Sequence, residues 1–447
     1  MNQESSYKKN TNKIMSLANF EYDKDKGNPP GFHLARVEYL MRKFNYPNIN
    51  QVFIHVAGSK GKGSTSNLIS NGLSDQKVGL FTSPHMHSLT ERIKINNKPI
   101  SKKMFNFYFE KVWPIVEVMK KEIKQQPSFF EFITLLALVV FRDEKVNLSI
   151  IEVGLGGRLD STNIITPTIS VITQISKDHT NILGSTLKQI AFEKAGIIKQ
   201  NIPVVISNQT KSVFEVIKKT SKEKKSKLYS SKEIEINSEY KKNYIQEIEI
   251  DKKYKFKTSL LGDHQLENIK TALKTIELYK RLKEKKIDWS DIANKISKTE
   301  MTGRCQVLTE KNIITFSDGA QNNKSAKALV NVLKKTGINM KEILWIYGAS
   351  EGHNSIDTIK VIKKYNPKII ITESRIPKAK KSKKIFEELK DLRLNIIELT
   401  KNTFDAHNKA RTLLNSHGII VAFGSLYIAA EIVEIIKNIK PENYNYG

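Results

Sequence analysis

Cysteine is all but missing from this chain. Cys305 is the single one among 447 residues, so no internal disulfide can form, and the composition suits a reducing cytoplasm. Long apolar runs are missing too: no stretch reaches the roughly eighteen consecutive apolar residues of a membrane-spanning helix. The segment from Met1 to Lys26 is polar and lysine-rich, without the apolar core of a secretory signal, and its acids argue against an organellar transit peptide. Acidic residues are outnumbered, 46 Asp and Glu against 74 Lys and Arg, for a net charge of +28. The excess is nearly all lysine, spread along the chain beside Ile and Asn, and no recognition module or stacking platform accompanies it. Compositional drift accounts for such a pattern, so neither nucleic acid nor membrane is expected as a partner. The lysine runs from Lys218 to Lys227 and from Lys378 to Lys384 read as solvated helix faces or loops. A positive field still favours small anionic substrates.

What is present is a globular pattern of 39% hydrophobic residues, long enough for two or three domains with their own cores. Strand and helix signals alternate through the first 210 residues. Strands are expected at Gln51–Ala57, Val78–Thr82, Leu148–Val153, Ile169–Ile175 and Val204–Ile206, with helices at Ser64–Leu73, Lys103–Lys121 (kinked at Pro114) and Phe129–Phe141. Such alternation implies a parallel sheet with helices on both faces. Short alternating runs between Tyr229 and Leu261, such as Glu233–Ile236 and Glu247–Ile250, suggest a small antiparallel sheet, followed by helices at Gln265–Leu282 and Ile287–Ile296. A boundary is expected near Glu300. Beyond it, Ile313–Phe316, Ile343–Tyr347, Ile369–Ile371, Asn395–Leu399 and Ile419–Phe423 read as buried strands of a smaller doubly wound α/β domain. The predicted division is therefore 1–300 and 301–447, with ligands in the cleft at the carboxyl ends of the strands.

The most telling local feature is Gly61-Lys62-Gly63-Ser64-Thr65-Ser66, placed directly after the strand Gln51–Ala57. A buried strand entering a glycine-rich turn, with a lysine at the turn and hydroxyls opening a helix, can wrap a nucleotide phosphate with backbone N–H groups. The P-loop pattern is imperfect: Val56 stands where its first glycine belongs, and Gly63 follows Lys62 where Ser or Thr is usual. Glu152 closes a neighbouring strand, where magnesium nucleotide sites place an acidic ligand; an acid capping a sheet edge is the plainer alternative. His179 follows the next strand and is a candidate metal ligand. Leu187, Ile190, Ala191 and Lys194 fall on one helix face, which turns Lys194 inward. An inward lysine must lose its charge, find a carboxylate, be modified, or snorkel to the surface. Asn268 opens the linker helix. Arg304 stands at the domain boundary, and Asp318 and Ser425 follow strands of the second domain, in segments that also suit ordinary turns.

These pieces together resemble the folylpolyglutamate synthase/dihydrofolate synthase family within the Mur-type ATP-dependent amide ligases. The likeness runs from about Gly31 to Glu431. It is carried by His55–Thr65, Thr82-Ser83-Pro84-His85, Glu91-Arg92-Ile93, Glu152–Asn163, Asp178-His179 and Glu193–Ile197. The resemblance implies a P-loop ATPase domain with a parallel-dominated sheet and a small β-rich appendage, plus a smaller C-terminal Rossmann-like α/β domain. It implies ATP and Mg2+ as cofactors, and a reaction in which ATP phosphorylates a folate-type carboxylate and L-glutamate attacks the acyl phosphate. By the same resemblance Gly58, Gly61, Lys62, Gly63, Ser64, Thr65, Asn268, Arg304 and Asp318 would contact ATP, while Ser83, Glu152 and His179 would hold magnesium. Lys194 would carry a carbamate. Ser128, Phe130 and Asp160 would line the pterin side, and Ser425 would lie near the incoming glutamate. A cytoplasmic monomer is the default expectation. Three departures stand out: Gln321 and Asn323 replace the usual His and Pro of Asp-Gly-Ala-His-Asn-Pro, Ser350–Asn354 replaces the usual Asp-Lys-Asp stretch, and Lys60 replaces a common asparagine. They leave a Mur-type ligase with a different acceptor as the alternative.

Overall fold

The computed structural model describes residues 3–18, 34–415 and 417–442. The expected onset of the family likeness at Gly31 and the end of the polar leading segment lie outside the described residues.

Strands without a single exposed residue form the centre of the first sheet, because helices cover both faces. Eight strands run edge to edge in the order Lys98–Pro99, Ile93–Ile95, Val78–Phe81, Leu148–Glu152, Phe53–Ala57, Ile169–Ile172, Val204–Ile206 and Leu228–Ser230. All pairs are parallel except two at one edge, where Ile93–Ile95 runs antiparallel both to Val78–Phe81 and to Lys98–Pro99. The helix Lys62–Gly72 packs against the long helix Asp263–Leu282, where Leu68 and Ile69 share a core with Ile269, Leu273 and Ile276. Gly72 permits the close approach: a Cβ there would lie 2.4 Å from Ile276 Cδ1. The helix expected to kink at Pro114 is two helices, Lys102–Val112 and Pro114–Ile123, as a missing N–H and a fixed φ require.

The small antiparallel sheet has the order Tyr254–Thr258, Ile245–Ile250, Ile236–Lys241. The alternation seen at Glu233–Ile236 is not itself a strand. Ser231–Glu233 is a short 3-10 turn, and the strand begins at Ile236. Tyr244 from this sheet packs edge-on against Phe316 at 5.1 Å.

The second large sheet runs Gln306–Glu310, Asn312–Ser317, His417–Phe423, Ile343–Tyr347, Lys368–Ile371, Asn395–Leu399. Its last five strands are those read from the sequence, all parallel; the first pairs antiparallel with its neighbour. The lysine run from Lys378 is not wholly solvated. Lys380 is buried, and its Nζ donates to Glu388, to Ser355 Oγ and to the His353 carbonyl. An ion pair in place of water lets an ammonium sit inside. Among the described residues no helix is long and apolar enough to cross a membrane.

Candidate active site

The strand Phe53–Ala57 ends at the middle of the first sheet, and the chain turns there through the glycine-rich loop. Ser59 and Lys60 N–H groups donate to the Gln174 carbonyl at 3.0 and 3.1 Å, tying the loop to the neighbouring strand end. Gly61 has φ +87°, the left-handed region that a side chain disfavours, and a Cβ there would lie 2.1 Å from Asn268 Oδ1. Asn268 is thereby seated on the loop, braced by its own bond to Gln265 Oε1 at 2.9 Å. No side chain caps the helix that starts at Lys62, so its N-terminal amides are left for an anion. Just inside, Thr65 Oγ1 and Ser66 Oγ are buried with no hydrogen-bond partner, an arrangement that calls for a ligand or water.

Glu152 lies beneath this helix start. Its Oε2 accepts from the Ser83 N–H at 3.1 Å and would be 3.5 Å from a Cβ on Gly63. Burial raises its pKa, against the pull of Lys62, the Ser83 amide, Arg304 and Arg92. On the far side of the loop Lys60 pairs with Asp178 at 3.0 Å. His179 follows in the left-handed region, with its side chain 57% exposed. Enclosure together with Lys62, Lys194 and Lys60 lowers its pKa, with Asp178 opposing.

Lys194 is only 3% exposed, so snorkelling does not occur. Its Nζ donates to the Gly58 carbonyl at 2.8 Å, and no described carboxylate pairs with it. Burial and the neighbouring Lys62 bring its pKa down to about 7. Of the four fates open to an inward lysine, loss of charge and chemical modification survive.

The opposite wall comes from the linker and the second sheet. Arg304 acts electrostatically on Glu152, on Asp318 and on His264. Asp318 is half-buried and accepts from the Cys305 N–H at 2.7 Å; desolvation pushes its pKa up to about 6 despite Arg304. Ser425 caps the helix Leu426–Lys437, and its hydroxyl lies 3.3 Å from that of Ser350.

The residues expected on the pterin side divide by role. Phe130 packs over Gly154, where a Cβ would lie 2.5 Å from the ring, and leans on Phe81 at 5.8 Å between centroids. Ser128 caps the helix Phe129–Asp143 in a reciprocal box with Glu131, which Arg36 pairs at 2.9 Å. Asp160 accepts from the Leu155 and Thr162 N–H groups at 2.7 and 3.0 Å. Both side chains are committed to holding the wall that presents Phe130. Two features lie in segments that the sequence singled out without giving these residues a role. Arg92 is fully buried over the Phe129 ring and donates to His85 Nδ1 at 2.8 Å. His353 lies within electrostatic reach of Lys60 and Asp178 from the first domain; nothing in its local sequence signals that proximity.

Known proteins match both halves of the chain. The Mur ligase middle domain matches residues 56–276, and the dihydrofolate synthetase C-terminal domain matches residues 301–435. The chain is 30% identical over 426 residues to a dihydrofolate synthase/folylpolyglutamate synthase of Bacillus subtilis (strain 168), covering 92% of this chain and 96% of that one. It is 31% identical over 311 residues to a folylpolyglutamate synthase of Lacticaseibacillus casei, covering 67% and 72%. The solved folylpolyglutamate synthase of Thermotoga maritima superposes with a TM-score of 0.83 at 26% identity, over 98% of this chain and 99% of that one. An FPGS–AMPPCP–folate complex superposes at 0.77 with 25% identity, over 96% and 98%. The chain therefore belongs to the folylpolyglutamate synthase/dihydrofolate synthase family of ATP-dependent ligases.

Proposed function

We propose that the cleft binds ATP on the first domain and joins L-glutamate to a folate-type carboxylate through an acyl phosphate. The observation that carries this is the convergence at one loop of Lys62, the uncapped helix start, buried Glu152 and buried, unpaired Lys194, with Arg304 and Asp318 facing them. We take the two domains to be 1–300 and 301–447, and the protein to act as a cytoplasmic monomer.

A carboxylate resists attack because its carbon is shielded by negative charge. Phosphorylation supplies a leaving group. In this reading Lys62 and the loop amides, with Gly58, Gly61, Gly63, Ser64 and Thr65, cradle the phosphates and stabilise charge on the transferring phosphoryl group. Asn268 and Arg304 hold the nucleotide from the other wall, and Asp318 orients it. Ser83, Glu152 and His179 would hold magnesium. The donors fit: one buried carboxylate, Glu152, sits against the phosphate loop and the Ser83 backbone, and magnesium commonly takes one or two carboxylates plus phosphates and water. When bound, it would neutralise phosphate charge. Lys194 as a carbamate would turn a buried cation into an anion beside that site. Phe130 offers its face to the pterin, Ser128 and Asp160 fix its surroundings, and Ser425 lies where the glutamate would enter.

The test is phosphate release from magnesium-ATP with L-glutamate and either dihydropteroate or tetrahydrofolate. Turnover with one or both names the activity; release with neither acceptor overturns the folate reading. Lys62→Ala should reduce turnover at least about 10²–10³-fold by removing a phosphate-stabilising charge, and near-normal release would refute the P-loop assignment.

A further inference from the structure

A free amine must form before it can attack an acyl phosphate, because an ammonium has no lone pair. The cleft therefore needs a group to take a proton near the point where the amino acid enters. The described histidines narrow the choice. His55 and His407 are buried in the cores, His85 is pinned by Arg92, and His87 is bound to Glu434. His417 bonds Asn312 at a strand start, and His264, at the head of the linker helix, is brought down to about 4 by desolvation and the Arg304 charge, too low to keep a proton at neutral pH. His179 stands among the candidate magnesium ligands. His353 is left. It follows the strand Ile343–Tyr347, on the turn that carries Ser350, whose hydroxyl meets that of Ser425 at 3.3 Å.

We propose that His353 accepts the proton from the incoming amino acid's ammonium group. This rests on the ligase reading above. The imidazole nitrogen takes one proton from the ammonium. The freed lone pair forms the C–N bond to the acyl carbon, the C–O bond to phosphate breaks with its electron pair, and the remaining excess N–H proton leaves with the phosphate. Products are the amide, hydrogen phosphate and an imidazolium.

Several bonds fix the backbone of the turn that carries His353. Gly352 turns the chain at φ +83°, and the His353 N–H donates to the Ser350 carbonyl. Buried Lys380 donates to the His353 carbonyl at 2.8 Å and is itself neutralised by Glu388. Lys384 pairs with Glu351 at 2.8 Å, and Ser350 bridges to Ala379. Within electrostatic reach stand Lys60 and Asp178 of the first domain, paired at 3.0 Å. Enclosure and the charges of Lys60 and Lys380 keep His353 below the usual imidazole range, with Asp178 opposing. The ring is thus neutral at pH 7, and Asp178 is placed to stabilise the imidazolium once it forms.

The experiment compares wild type with His353→Gln, using magnesium-ATP, the folate acceptor and either L-glutamate or hydroxylamine. Hydroxylamine is a free base at pH 7 and needs no proton acceptor before it attacks. His353→Gln should lose glutamate ligation by about 10²–10⁴-fold while hydroxamate formation stays within about twofold of wild type, and it should lose the acidic limb of the glutamate pH profile. Lys62→Ala should lose both products. Ligation by His353→Gln within about twofold of wild type overturns the proposal, as does an equal loss of both products, which would place His353 in phosphorylation or folding. A wild-type protein that forms neither product overturns the ligase reading, and the His353 role with it.

Discussion

Lys194 is the residue whose surroundings demand most explanation. A side chain 3% exposed, bonded to one carbonyl and unpaired by any described carboxylate, carries its charge at a cost. Its folded pKa of about 7 lies below the ordinary 10.5. The folded state therefore binds fewer protons than the unfolded state between those values, so this group makes stability fall as pH drops from 10.5 toward 7. The same shift leaves much of the amine neutral near pH 7, the form that reacts with carbon dioxide. Two outcomes are expected for the unmodified protein. Labelled bicarbonate should give a carbamate carbon signal that is absent in Lys194→Arg. Bicarbonate should also raise Tm near pH 7 in wild type and not in the variant, because a reaction confined to the folded state stabilises it. No signal and no Tm shift would leave Lys194 as a neutral structural amine.

At the scale of elements, the loop and the helix Asp263–Leu282 are one unit. A Cβ on Gly61 would meet Asn268 Oδ1 at 2.1 Å and would also sit at φ +87°. Gly61→Ala should lower both Tm and nucleotide affinity. Adding Asn268→Ala should recover the steric part of the Tm loss and leave about 1–2 kcal/mol of backbone strain. Thermal melts and calorimetry with a non-hydrolysable ATP analogue read both quantities; an unchanged single variant would mean the loop relaxes elsewhere. This loop was legible from sequence because a buried strand, a glycine turn and a helix start are contiguous. The five parallel strands of the second sheet were legible as apolar runs for the same reason. The antiparallel strand Gln306–Glu310 was not: with one buried residue in five it carries no apolar run. The helix Gln3–Met15 escaped as well. It is polar on average, and it gains its place by packing Tyr7 edge-on against Phe105 at 5.2 Å. Lys380 shows the limit at a single position, since a lysine run cannot reveal which member has the half-buried Glu388 to meet.

For the molecule as a whole, the question is what holds the two walls of the cleft in register. The final helix Leu426–Lys437 reaches back to the first domain. Tyr427 packs on that domain's core, and buried Glu434 accepts from His87 Nδ1 at 2.9 Å and Arg375 Nη2 at 2.7 Å. A little further on, Glu442 accepts from Ser88 Oγ at 2.9 Å and Tyr7 Oη at 3.0 Å. Burial alone would raise the Glu434 pKa, but the bonds from His87 and Arg375 outweigh it and hold it below the ordinary 4.5. A depressed carboxylate contributes stability that is present above the unfolded pKa and lost as pH falls through the folded one. Glu434→Ala should therefore destabilise the protein by about 2–5 kcal/mol at pH 7, because it takes a buried acceptor from His87 and leaves Arg375 with only its weaker approach to Glu431 among the ion pairs described. Hydrogen exchange should quicken in the turn Leu89–Arg92, and the Tm gap between variant and wild type should narrow as pH falls below 4.5. The gap should change little with added salt, since a buried pair is weakly screened. A gap that is the same at acid and neutral pH would mean that Glu434 stabilises by packing alone, and that the walls are held by the apolar contacts of Tyr427 and its neighbours.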